Sequence, residues 1–412
     1  MLPILPAAFV AALSFGSASE SWPEFRGPTG QGIAPEGPLP TEWSPTKNVA
    51  WKQPIPGSGW SSPVLDAGRV YLTTSVQVEN VASKNQSLRA LCLDARTGST
   101  IWDTEVFLEN AQQAPRVHQK NTHASPTPLI HAGKLYVHFG HQGTACLDLN
   151  GNVLWRNTSV NYQPVHGNGG SPVFVDGMLV FSCDGGDTAS VVALDAATGE
   201  MRWKTARTSK PQRKFSFSTP LVISVNGKSQ IISTGSDMVG AYDPQSGREI
   251  WRVRYIGYSV IPRPVYGNGL VFVTSGFGTP SLIAIRPDGE GDVTRTHIAW
   301  RTSRAAPLTP SPLVVGGELY TVADNGVASC LEAATGKVLW QERIGGNYSA
   351  SPLYGDGKVY FQSEQGPAVV VKAGKQFERL AKNTLDERAL ASYAAADGAL
   401  FIRTEKHLYR IQ

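Results

Sequence analysis

The chain has 412 residues, 41% of them hydrophobic and 17% charged, with a formal net charge of +4. That apolar content supports a packed core, and so small a charge excess excludes a nucleic-acid partner recruited by charge alone. With 42 glycines and 28 prolines, turn residues exceed their usual combined share of about 12%. Runs rich in Val, Tyr, Phe and Thr between Gly turns dominate over helical spacing, so the fold class expected is all-β.

Residues 1–18 are apolar and uncharged, and Gly16-Ser17-Ala18 offers small residues for cleavage. This reads as a signal peptide. Residues 19–47 form a Pro/Gly-rich strap, pinned by Trp22, Phe25 and Trp43. Its "RGPTGQG" (26–32) lacks the Lys-Ser/Thr ending and the strand–helix context of a phosphate loop. No later run reaches the ~18 apolar residues that a membrane-spanning helix needs.

From residue 48 to the end one unit repeats. Tight-turn dipeptides between apolar runs mark hairpins at Ala67-Gly68, Ala132-Gly133, Asp176-Gly177, Asn226-Gly227, Asn268-Gly269, Gly316-Gly317, Asp356-Gly357 and Asp397-Gly398. Seven are preceded by a proline at the start of the first strand: Pro63, Pro126, Pro172, Pro220, Pro264, Pro312 and Pro352. A second turn series follows, as in "VVALDAATGEMRW" (191–203), with Gly98, Gly151, Gly199, Gly247, Gly289, Gly336 and Gly374. It leads to an aromatic anchor: Trp102, Trp155, Trp203, Trp251, Trp300, Trp340 and then Phe377. A period of roughly 40–50 residues with four short strands per unit predicts a β-propeller. The last unit (392–411) stops after three strands, and "NVAWKQPI" (48–55) supplies the fourth, with Trp51 in the anchor column. The expectation is therefore an eight-bladed β-propeller of four-stranded antiparallel blades over 48–412, its ring closed by the N-terminal strand.

The pattern Ala193-x-Asp195-x-x-Thr198-Gly199-x-x-x-Trp203 resembles the docking motif of the pyrroloquinoline-quinone (PQQ) type propeller repeats. That family includes quinoprotein alcohol dehydrogenases and the periplasmic propeller lipoprotein of the outer-membrane β-barrel assembly machine. The head "WPEFRGPTGQG" (22–32) and "NVAWKQPIPGSGWSSP" (48–63) resemble a secreted bacterial subgroup of it. An outermost-strand Trp cannot face a central channel, so the Trp column reads as a wedge between blades. The Gly supplies a positive φ and the Asp accepts turn amides. In the resembling family these are blade-docking contacts.

Cys92, Cys146 and Cys330 occupy a column held by Ala193, Ala241 and Ala284 in other repeats, a small buried site. With Cys183 they make four free thiols in this reading, and no CxxC spacing signals zinc.

Both turn series share one face of the disc. The irregular loops 107–125, 157–171, 206–218 and 254–262 gather on the other, where binding usually resides. Register places Trp60, His123, Phe217 and Tyr348 at the channel mouth, with His166 and His141 nearby. His123 and His141 read as loop histidines rather than a metal pair. Asp184, Asp187, Asp324, Glu364 and Glu405, and the basic run Arg207, Lys210, Arg213 and Lys214, read as solvated loop ends.

The functional expectation is an exported, non-catalytic binding or scaffold module, periplasmic or secreted. It would be monomeric and take an envelope protein, peptide or glycan through the loop face, with no cofactor and no metal. The alternative implied by the resemblance is a PQQ-dependent dehydrogenase. It would carry calcium and a catalytic Asp, with the cofactor stacked on a Trp, a role only Trp60 fits. The adjacent-cysteine disulfide of that group and a haem-attachment CxxCH are both absent. A glycan-cleaving enzyme would need a carboxylate pair that the sequence does not single out.

Overall fold

A computed structural model describes residues 20–78, 85–110 and 116–412. The expected leader, residues 1–18, lies outside the described residues. The chain forms eight blades of four antiparallel strands; the last takes its outermost strand from Val49–Pro54, and the fourth carries an added parallel strand, Gly291–Asp292. The blades begin on their innermost strands at Val64, Leu129, Val173, Leu221, Val265, Leu313, Leu353 and Ala394. Innermost strands of neighbouring blades touch at six of the eight junctions, blade 8 against blade 1 included.

The inner hairpins follow from turn chemistry. In seven of the eight both central residues have φ between 47° and 79°, as at Asp176 and Gly177. This is the type I′ geometry that matches strand twist. In blade 2 the first strand starts at Leu129, so Pro128, not Pro126, holds the proline column. Two X-Pro dipeptides lie two residues apart there, and the sequence alone does not choose between them.

Each repeated phrase ties one blade to the next. Asp195 Oδ1 accepts the amides of Ala197 and Thr198 at 2.9 and 2.8 Å. Gly199 turns at φ 78°, and a Cβ there would lie 2.5 Å from the Trp155 ring of the preceding blade. The glycine thus serves both the turn and the indole packed flat beneath it. Trp155 Nε1 donates to Ala196 O at 3.2 Å, and Trp51, Trp102, Trp203, Trp300 and Trp340 bond the next blade's turn in the same way.

Two copies depart from the pattern. In blade 5 the turn is not at Asp288-Gly289. A longer excursion carries Gly291–Asp292 onto the edge of blade 4, where it pairs parallel with the strand of Trp251. Trp251 is thereby fully buried and donates to Gln230 within its own blade. In blade 7 the anchor column holds Ala381, opposite Val370, as Trp340 lies opposite Cys330. Phe377 lies before that strand and packs on Trp340 at 5.3 Å. The missing indole comes from the strap: Trp43, 3% exposed, stacks on Tyr360 at 6.4 Å. In blades 1, 2, 5 and 6 the blade's own Trp contacts the equivalent aromatic residue, as Trp102 does Tyr71.

The strap crosses the turn-face end of the channel. Trp22 exchanges both backbone bonds with Leu65 of blade 1, Gln31 accepts from Tyr266 N of blade 5, and Tyr354 of blade 7 pairs with Gly32 and Ala34. Phe25 is presented to the channel.

The closing strand is locked by Glu387. Burial pushes its carboxyl up, but hydrogen bonds from Thr404, His407 and Lys52 outweigh that and hold it at about 2. Lys52 Nζ lies on the closing strand, 2.9 Å from Glu387 Oε1. A folded value below the unfolded one means the stabilisation is complete above about pH 4.5 and is lost as pH falls toward 2. Melting temperatures measured from pH 2 to 5 should fall more steeply for the native protein than for Glu387→Gln. Parallel curves would remove Glu387 from the closure.

The four cysteines lie buried in four separate blades and are free. Burial raises the thiols of Cys92, Cys183 and Cys330 to about 12 and that of Cys146 to about 11. A thiol reagent at pH 8 should label none in the folded protein and all four after denaturation without reductant. Fewer than four after denaturation would reveal a disulfide.

Candidate functional site

The loop face opens into the central channel, a cavity of about 750 Å³ that Phe25 floors. Its lining divides into an aromatic wall and a polar wall. Four connecting loops, with Phe277 from a loop inside blade 5, build the aromatic wall through edge-to-face and tilted ring contacts. His118 contacts His166 at 5.7 Å, and His166 contacts Phe215 at 5.4 Å. Phe215 touches Phe217 and Tyr258, and Tyr258 touches Phe277. The Arg213 guanidinium stacks over the Tyr258 ring at 4.3 Å, a cation–π contact. Trp60 completes the lining from blade 1.

The polar wall carries hydroxyls and the engaged carboxylate of Asp324, while Glu364, outside the lining, bonds the lining residues Lys120 and Ser349. Asp324 accepts from Leu308 N, Thr309 N and Thr309 Oγ1 at 2.8, 3.2 and 2.5 Å. Glu364, 8% exposed at its side chain, pairs with Lys120 at 2.7 Å and accepts from Ser349. Lys120 comes from the loop after blade 1 and Glu364 from blade 7, so this pair spans the mouth.

Of the residues predicted at the mouth, Trp60, His166 and Phe217 line it. Tyr348 does not: it is 1% exposed and packs with Leu313 and Phe361 between blades 6 and 7. His123 and His141 are also set apart from the lining. Both face Glu109, a carboxylate 1% exposed, at 2.6 Å and 3.7 Å, and Gln142 donates to the same group at 3.1 Å. Burial is the main cause that holds the His141 imidazole below its ordinary value.

The charged loop ends divide in the same way. Glu405 is exposed, beside Arg388. Asp184 and Arg207 are corrections: both side chains are fully buried and pair at 2.8 Å. Lys214 donates to Asp187 O. Phe215, Tyr258, Phe277, His118, Lys120 and Phe25 were not singled out for the mouth. The alternation "FSFS" (215–218) was the available signal, because it sets Phe215 and Phe217 on one side of an extended segment.

The family model for the outer membrane protein assembly factor BamB matches residues 38–232 and 291–400, more than half of the chain. The chain belongs to this BamB family. Tyr258 and Phe277 fall between the two matched blocks. BamB of Yersinia pestis is 23% identical over 209 residues, 46% of this chain and 50% of that protein. The tetrathionate hydrolase of Acidithiobacillus ferrooxidans is 20% identical over 289 residues, 66% of this chain and 51% of its own length. The chain thus spans about half the length of the curated relatives it matches. Among solved structures, BamB from Moraxella catarrhalis superposes with a TM-score of 0.56 at 12% identity, covering 83% of this chain and 99% of that one. A europium-containing methanol dehydrogenase superposes with a TM-score of 0.66 at 10% identity, covering 94% and 90%. At these identities the structural likeness shows the fold alone.

The residues present do not fit a calcium-bound quinone. Trp60 offers an indole at the channel, but calcium and a catalytic base would need carboxylates free to receive them. Asp324, the carboxylate of the lining, has both oxygens engaged, and Glu364 is paired with Lys120. The four thiols lie within separate blades, apart from the lining.

Proposed function

We propose that this BamB-family chain acts in the cell envelope as an exported, non-catalytic propeller. It holds a protein, peptide or glycan at the loop-face mouth of its channel. The observation that carries this reading is the channel itself. It is floored by the strap, open on the irregular face, and walled by aromatic rings beside engaged carboxylates. Rigid aromatic faces in a recess are binding anchors. Envelope placement rests on the BamB relatives, named as outer membrane protein assembly factors.

Immobilised protein should retain a component of an envelope extract, and Trp60→Ala or Phe217→Ala should reduce that retention several-fold. Equal retention by all three proteins would remove the mouth as the site. Incubation with PQQ and calcium should give no dye-linked oxidation of alcohols or sugars. Turnover would replace the binding reading with a dehydrogenase.

A further inference from the structure

Beneath the aromatic arc the channel is ringed by hydroxyls from successive blades. Thr127, Ser171, Thr219, Ser311, Ser351 and Ser392 each accept a backbone N–H from the preceding blade at 2.9–3.0 Å. A hydroxyl that accepts one bond still has its hydrogen to donate. Among the described residues none of these six hydrogens has an acceptor, and all six residues line the cavity. The ring is therefore a circle of unspent donors facing the channel.

Three buried arginines adjoin this ring through its neighbouring residues without lining the cavity themselves. Arg263 takes the hydroxyl's place in blade 5, is 1% exposed, and donates to Pro220 O and Phe25 O. Arg26, 1% exposed, donates through one nitrogen to Pro352 O, while its Nε and Nη1 are buried with no partner. Arg403, 2% exposed, donates to Ser61 and Thr73, all neutral acceptors. Among the described residues, Arg263 is the one of the three that meets a carboxylate, Glu24 at 3.3 Å. Burial, and for Arg26 also repulsion from Arg263, lowers both Arg26 and Arg403 to about 9. Buried cations in excess of buried anions are costly, and a counter-charge in the channel offsets that cost.

We propose that the channel binds an acidic oligosaccharide, its carboxylate received by the hydroxyl ring above Arg26 and Arg263 and its pyranose faces laid on the aromatic arc. This rests on the reading of the mouth as a binding site and names its ligand. The donors and the three arginines, set against Asp324, the one lining carboxylate among the described residues, select an anion. An aromatic wall facing a hydroxyl-lined wall suits a ring with an apolar face and a polar rim. A cavity of about 750 Å³ exceeds what a single small acid fills.

Calorimetric titration of the intact protein with trigalacturonate, with maltotriose as the neutral control, tests this. The acidic sugar should bind at least tenfold more tightly than the neutral one, and its affinity should fall as salt rises from 50 to 500 mM. Arg26→Gln should weaken the acidic sugar at least tenfold without changing the neutral one. Phe215→Ala should weaken both. Equal affinity for the two sugars would overturn the anion and leave the mouth as a ligand site. No binding of either, with retention of an envelope component still dependent on Phe217, would overturn the sugar and spare the binding reading. The comparison of sugars on the native protein stands even if the arginine variant does not fold.

Discussion

Replacing Asp184 by Asn is expected to lower the free energy of unfolding by about 3–5 kcal/mol, the range for removing one member of a buried ion pair. The Arg207 side chain has no exposed surface. It donates to both Asp184 oxygens, to Ser182 and Ser233 hydroxyls, and to the carbonyls of Ser233 and Thr234. Its neighbours are tightly built: a Cβ on Gly235 would lie 2.5 Å from Arg207 Nε. Asn keeps the shape of Asp184 but leaves the guanidinium without an anion inside the junction of blades 3 and 4. Urea unfolding gives the number directly. A loss under 1 kcal/mol would mean that the pair contributes little beyond its hydrogen bonds.

The second large effect concerns the Trp column. Trp251 is fully buried beneath the Gly291–Asp292 excursion, whereas Trp203 is half-buried under Gly247. Large-to-small changes of core aromatics cost about 3–5 kcal/mol. Trp251→Ala should reach the upper end of that range and Trp203→Ala the lower end. Both should leave retention of the envelope component unchanged in protein that remains folded, because neither indole reaches the channel. Loss of retention with stability intact would make the column part of the site. The reverse order of the two stabilities would contradict the role of the excursion as a cover.

Much of the architecture was legible because two turn series and one aromatic series keep the same register, each with its own chemical cause. Positive φ demands Gly or Asn-type residues, and the wedge demands a large flat side chain. Legibility failed where one position's task passed to a residue distant in sequence. Ala381 interrupts the Trp column because Trp43, from the strap, fills that space. Arg207 looked solvated among Lys210, Arg213 and Lys214, since its partner Asp184 lies 23 residues earlier. The site was legible only in outline. Counting back four residues from each first strand finds Trp60 and Phe217, and in blade 7 it reaches Ser349, which lines the channel, whereas Tyr348 lies one residue farther back and packs in the wall. Phe25 and Lys120 enter the channel from segments with no repeat to align.

The most direct test uses the ten tryptophans as internal reporters. Trp60 is the tryptophan that lines the channel, while Trp22, Trp43 and the seven column residues pack in the strap or between blades. Fluorine NMR of protein labelled with 5-fluorotryptophan, assigned by single Trp→Phe variants, reads all ten separately. On titration with the envelope component that the native protein retains, the Trp60 resonance should shift while those of Trp102, Trp155, Trp203, Trp251, Trp300 and Trp340 stay in place. A shift among the column residues with Trp60 unmoved would place the site on the outer rim and contradict the account.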